Sequence, residues 1–129
     1  MKFNSDFKYD LLLGNTGENI ISELLKDSTI EVKMDFLAYK TNNIFIEFRS
    51  RDKLSGISTT QAEFWFYIIL KKDTQRDPNK ITIKDVKDIR FFKVNKLKKI
   101  CREWLLSNKP LQGGDNNTSL GCCIPLSLL

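Results

Sequence analysis

The chain has 129 residues, 21 Lys or Arg against 16 Asp or Glu for a net charge of +5, and a 41% apolar content that includes nine Phe. That composition suits one domain with one core, and the longest apolar run, Phe64–Leu70, is too short to cross a bilayer. There is no histidine, which excludes Ser-His-Asp and Cys-His nucleophilic sites, His-metal nucleases and His-based zinc hydrolases. The G-x-x-x-x-G-K-[ST] and G-x-G-x-x-G nucleotide loops are also missing. Carboxylates around a hard cation remain available. Cys101, Cys122 and Cys123 have no zinc-ligand spacing and read as reduced and structural. Residues 1–6 have no apolar segment behind them, so the expectation is a cytoplasmic protein with no membrane partner.

In chain order, Gly14-Asn15-Thr16-Gly17 reads as a breaker, with Thr16 capping a helix that runs to about Leu25. Ile20, Ile21, Leu24 and Leu25 form its apolar stripe; Glu18 lies at the stripe's edge and Glu23 points away. Two strands follow, residues 30–35 and 44–49, and the turn chemistry of Thr41-Asn42-Asn43 between them predicts a hairpin. Side chains two apart share a strand face, so Glu31, Lys33 and Asp35 fall on one side and Glu47 and Arg49 on one side of the next strand. Converging carboxylates of this kind are costly unless a metal ion or phosphate offsets them.

Ser58-Thr59-Thr60 signals a second cap, with a short helix over residues 61–66 leading into a buried strand through Leu70. Trp65 and Phe66 read as core. Residues 73–80 read as an exposed loop and residues 86–94 as extended. Asn95 then caps a helix over residues 96–107 with a Leu97, Ile100, Cys101, Trp104, Leu105 stripe. Residues 84–102 hold eight Lys or Arg and only Asp85 and Asp88 in opposition. Within that run Lys93, Lys96, Lys98, Lys99 and Arg102 are candidate nucleic-acid contacts, although such runs are more often a solvated face. The tail, a turn at Gly113-Gly114-Asp115 and an apolar strand broken by Pro125, completes an α/β domain with a mixed sheet.

A helix with an inward Glu18, a strand closing in Asp35 and a strand with Glu47-Phe48-Arg49 resembles the PD-(D/E)XK nuclease superfamily. The order Gly17-Glu18, Ile30-Glu31-Val32-Lys33 with Asp35, Glu47, Ser55-Gly56-Ile57 with Thr60, and Gly113-Gly114-Asp115 is similar to small phage and bacterial members of that superfamily. The resemblance implies a restriction-endonuclease-like core and Mg²⁺- (or Mn²⁺-) dependent hydrolysis of nucleic acid, DNA in the first instance; a homodimer is compatible with it. Asp35 and Glu47 would hold the metal with the Phe48 carbonyl, and Glu18 would bind a second ion or orient a water. Met34 stands where the family has proline, and Arg49 where it has lysine. Arginine does not lose its proton at usable pH, so Lys33 is the preferred substitute for that lysine. Glu31-Val32-Lys33 as the signature itself, with Asp10 upstream, stays open. The alternative function is a non-catalytic nucleic-acid-binding or protein-interaction module on the same fold. Without a metal, carboxylate repulsion at Asp35 is expected to leave the stability of an Asp35→Asn variant unchanged or higher.

Overall fold

The computed structural model describes residues 2–114 and 117–129, with the side chains of residues 2–6 outside the description, as is Asp115 of the Gly-Gly-Asp turn. Among the described residues, three α-helices and seven strands build a mixed α/β domain: α1 (Lys2–Lys26), β1 (Ile30–Asp35), α2 (Ala38–Thr41), β2 (Asn43–Ser50), β3 (Lys53–Leu54), β4 (Phe64–Leu70), β5 (Val86–Lys93), α3 (Val94–Ser107), β6 (Leu111–Gly113) and β7 (Ser119–Pro125). The strands form two sheets, a mixed one in the order β1-β4-β5 and an antiparallel one in the order β3-β2-β7-β6.

Three expectations change. First, α1 runs unbroken through Gly14-Asn15-Thr16-Gly17. Thr16 is no cap, because inside a helix its hydroxyl donates to the Leu12 carbonyl one turn back at 2.9 Å. The stripe of α1 does not enter the core either: between residues 7 and 26 every residue is exposed except Gly17 and Leu25, which are half-buried. Second, β1 and β2 form no hairpin. Asp35 Oδ1 accepts from the backbone N–H groups of Leu37 (2.6 Å) and Ala38 (2.8 Å), which turns the chain into α2. Asn42 then ends α2 in the left-handed region, at φ 57°. β1 pairs in parallel with β4 and β2 in antiparallel with β7. Third, no helix covers residues 61–66. A 3₁₀ turn at Gly56–Ser58 takes up the polar signal, Thr60 Oγ1 accepts from the Ala62 N–H at 3.2 Å, and β4 starts at Phe64.

α3 meets expectation closely; in β4 Trp65 is core as expected, but Phe66 lies on the opposite face, outside the core. Trp65, Tyr67 and Ile69 are buried on one face of β4. With Ile44 and Ile46 of β2, Cys122 and Ile124 of β7, and Val94, Leu97 and Cys101 of α3, they make one core. Burying each such side chain contributes about 1.5–3 kcal/mol. α3 starts at Val94, so Asn95 sits in the first turn and no side chain caps the helix. Within β5, Phe92 faces the core side while Ile89 and Phe91 face outward. All three cysteines are free. No helix among the described residues is long and apolar enough to cross a membrane.

The 3₁₀ turn lies hard against β2. Gly56 has φ +52°, and a Cβ there would stand 2.2 Å from the Glu47 carbonyl oxygen. Gly56→Ala therefore combines a left-handed backbone with a backbone clash, and is expected to lower unfolding free energy by about 2–4 kcal/mol. Urea denaturation of the two proteins measures this.

Candidate functional site

β1 exposes its apolar residues and turns its charged ones inward. Ile30, Val32 and Met34 are exposed whereas Glu31, Lys33 and Asp35 are half-buried. Lys33 and Asp35 line a cleft of about 470 Å³ whose opposite wall is the Phe45 and Glu47 face of β2, with Trp65 and Tyr67 of β4 between them. Of the residues predicted to converge, Lys33, Asp35 and Glu47 share this cleft, across two sheets instead of within one hairpin, whereas Glu18, Glu31 and Arg49 are not part of its lining.

Both carboxylates are oriented by hydroxyls. Glu47 Oε1 accepts from the hydroxyl of Ser119, a buried residue of β7. Asp35 Oδ2 accepts from the Tyr67 phenol, and the phenol oxygen accepts the Phe45 backbone N–H at 3.0 Å. Burial and then the Asp35 hydrogen bond push the Tyr67 phenol far above its ordinary range, so it stays a donor. A carboxylate has about four lone-pair sites. Asp35 uses three of them, two on Oδ1 and one on Oδ2, and Glu47 uses one. Oxygen acceptors on both residues are therefore left for a ligand.

Lys33 is anchored between Glu31, at 3.4 Å, and the Trp65 ring, 5.6 Å from Nζ to the centroid. Arg76 adds a second cation to the cleft lining, over the Phe36 ring at 4.6 Å. The floor is tight. The Phe45 ring lies where a Cβ on Gly113 or Gly121 would be, 2.9 and 2.5 Å away. Cys123 also lines the cleft, and burial followed by the Asp35 charge pushes its thiol up.

Arg49 parts from Glu47. Glu47 is registered with Gly121 but Arg49 with Leu120, so Phe48 is an extra bulge residue and the strand alternation reverses. Arg49 donates to the Asp52 carbonyl at 3.3 Å and lines a separate cavity of about 250 Å³. The Phe48 carbonyl accepts the Ser55 N–H at 3.1 Å. Glu18 and Asp10 are exposed on α1 and line no part of the cleft. Lys93, Lys96, Lys99 and Arg102 are exposed and Lys98 half-buried, all of them off the cleft lining. Among the described residues no three His, Cys, Asp or Glu side chains gather closely enough to hold a metal ion. As donors, the carboxylates of Asp35 and Glu47 are of the kind that Mg²⁺ takes in ones and twos together with water. A three-carboxylate site with Glu18 does not fit.

Sequence reasoning missed Ser119 as the orienting group of Glu47 and Tyr67 as that of Asp35. A tyrosine inside an apolar strand was the available signal, because a buried phenol has to find partners. No protein-family model, no curated protein and no solved structure matches the chain.

These bonds reverse the expectation for Asp35. Its carboxylate is satisfied by three donors, so Asp35→Asn is expected to destabilise. Tyr67→Phe, which strips Asp35 and the Phe45 N–H of a partner together, is expected to cost about 1–3 kcal/mol. The raised phenol pKa fixes the sign of the pH effect. The Tyr67 contribution is whole below about pH 10 and is lost as pH rises further, because the unfolded chain ionises first. Denaturant titrations between pH 7 and 11 should show a shallower alkaline decline in Tyr67→Phe than in wild type.

Proposed function

We propose that the cleft is the active site of a metal-dependent nuclease that hydrolyses phosphodiester bonds in nucleic acid. The observation that carries this reading is the meeting of Asp35, Glu47 and Lys33 in one open cleft, although they come from different sheets. A restriction-endonuclease-like core is part of the proposal.

Asp35 and Glu47 would hold a Mg²⁺ ion. Bound there, the ion supplies positive charge that polarises a phosphodiester and makes water more acidic. Tyr67 and Ser119 keep the two carboxylates from rotating, which holds their remaining lone pairs toward the cleft. Lys33, held by Glu31 and Trp65, brings a fixed ammonium to the same wall, where it offsets negative charge developing on phosphate oxygens. Arg76 offers a further phosphate contact. Arg49 faces away, so Lys33 is the cation assigned to the reaction. DNA is the favoured substrate, with α3 and the end of β5 supplying a salt-sensitive contact through Lys93, Lys96, Lys98, Lys99 and Arg102.

A second reading is a nucleic-acid-binding module without cleavage. It is favoured by the use of Asp35 Oδ1 to hold the turn between β1 and α2 through the Leu37 and Ala38 N–H groups.

Purified protein with Mn²⁺ or Mg²⁺ is expected to nick duplex, single-stranded or branched DNA. Glu47→Gln should lower the rate by at least 100-fold and weaken Mn²⁺ binding measured by calorimetry. Lys33→Met should lower the rate while leaving Mn²⁺ binding intact, and Arg49→Met should change neither. Absence of cleavage on every DNA and RNA substrate, with binding retained, would select the second reading.

Affinity for DNA should fall steeply with salt, since each phosphate contact releases counterions. Reversing Lys96, Lys98 and Lys99 to Glu should weaken binding at least tenfold and flatten the salt slope without altering the circular dichroism spectrum. An unchanged Kd would restrict those lysines to keeping the surface solvated.

A further inference from the structure

Two apolar surfaces remain uncovered, and both belong to the same chain. One is the outer face of the three-stranded sheet beyond Phe64, which is itself buried and stacked on Phe91. There β1 presents Ile30, Val32 and Met34 at 41–51% exposure, and β5 presents Ile89 and Phe91 at 46% and 44%. The strand register joins them through Phe66 and Ile68 of β4, with Phe91 packed 4.9 Å from the Phe66 ring. The other is α1. At 100° per residue Tyr9, Leu13, Ile20, Ile21 and Leu24 fall on one side of it, and each is exposed, from 42% for Leu24 to 64% for Tyr9.

The sizes agree. From Tyr9 to Leu24 a helix covers roughly 22 Å, about the length of a six- or seven-residue strand at ~3.3 Å per residue. At ~200 Å² for a fully exposed large apolar side chain, the two surfaces together leave on the order of 1,000 Å² on each chain, above the ~800 Å² per partner of a stable complex. Gly14 and Gly17 lie on the same side of α1, and a Cβ at either would meet nothing within 4 Å. No contact within the chain calls for glycine there, and glycine is unfavourable inside a helix. Close approach of a partner's backbone or side chains supplies the missing reason. The charges agree too: Glu18 and Glu23 flank the stripe, while Lys93 shares the outer face at the end of β5.

The junction between α1 and β1 is hydrogen-bonded on both sides. Ser28 donates from its N–H to Leu25 and from its hydroxyl to Leu24, closing the helix. Thr29 directly after it is bonded through its carbonyl to the N–H groups of Glu63 and Phe64 and through Oγ1 to the N–H of Glu63.

We infer that the occupant of the sheet face is α1 of a second copy of this chain, in a reciprocal two-fold exchange in which each copy lays its helix stripe across the other's β1-β4-β5 sheet. Such an arrangement is self-complementary and closes at two subunits. It covers both apolar surfaces while leaving the cleft on the opposite face of the sheet open. The inference does not depend on the cleft being catalytic.

Sedimentation velocity of the full chain at micromolar concentration is expected to give twice the 15.0 kDa chain mass. Leu24→Asp on the helix and Val32→Glu on the sheet should each give folded monomer, judged by near-ultraviolet circular dichroism, while Ser22→Asp on the polar side should remain dimeric. Mixing the Leu24→Asp and Val32→Glu chains should restore dimer, because one helix and one sheet in that pair are both intact. Helix-to-helix or sheet-to-sheet pairing gives no such rescue. A monomeric wild type overturns the inference, whether its α1 amides are protected from hydrogen exchange (docking on its own sheet), unprotected, or protected only by lipid vesicles. A dimer unaffected by Val32→Glu, or failure of the mixed variants to associate, overturns it as well.

Discussion

The Tyr67 phenol is the interaction on which the arrangement turns. It sits on the central strand of one sheet, accepts a backbone N–H from Phe45 in the other, and donates to Asp35 at the end of an edge strand. A phenol buried without partners would cost several kcal/mol in apolar surroundings, so a register that satisfied only one side of the hydroxyl would be disfavoured. Using both sides ties β1, β2 and β4 together at one point. Asp35, held on one oxygen by the phenol, presents the other to the N–H groups of Leu37 and Ala38 where the chain enters α2. One bond thus sets the spacing of the sheets, the turn after β1 and one wall of the cleft.

The opposite wall follows from packing. Gly113 and Gly121 leave room for the Phe45 ring, which places that ring across β6 and β7 and carries Glu47 next to the Ser119 hydroxyl. Hydroxyl donors on both carboxylates suit a site that holds charge in a fixed direction, since a freely rotating carboxylate would lose orientation entropy each time a ligand arrived. The bulge at Phe48 then decides which cations line the cleft. By inserting one residue it sends Arg49 to the other face, and the cleft keeps Lys33, from a different sheet, and Arg76.

The alternation of β1 connects the two halves of the molecule's surface. An edge strand that turns Glu31, Lys33 and Asp35 toward the cleft must turn Ile30, Val32 and Met34 the other way. The residues that face outward are apolar, and an exposed apolar face of this extent often marks an interaction surface. The same strand pattern that supports the proposed chemistry calls for a cover on the opposite side.

Much of this was legible from residue order. The Phe64–Leu70 strand, the α3 stripe, the loop before β5, the free cysteines and the inward grouping of Lys33, Asp35 and Glu47 all rest on local periodicity and on the exclusion of histidine chemistry. These are short-range properties, set by side-chain spacing and backbone propensity. Thr41-Asn42-Asn43 looked like a hairpin turn because its composition suits one, but turn composition does not say which strand the chain returns to. That was decided by tertiary structure, where β4 offered β1 a buried parallel partner and the Tyr67 hydroxyl drew Asp35 into a cap. Likewise no spacing rule places a bulge at Phe48 or brings Ser119 to Glu47 across 72 positions of sequence. Nor does a helical stripe, read alone, state whether it faces its own core or another molecule. Residue order determined which side chains share a face; only the three-dimensional packing, which weighs burial against hydrogen bonding across distant segments, decided what each face meets.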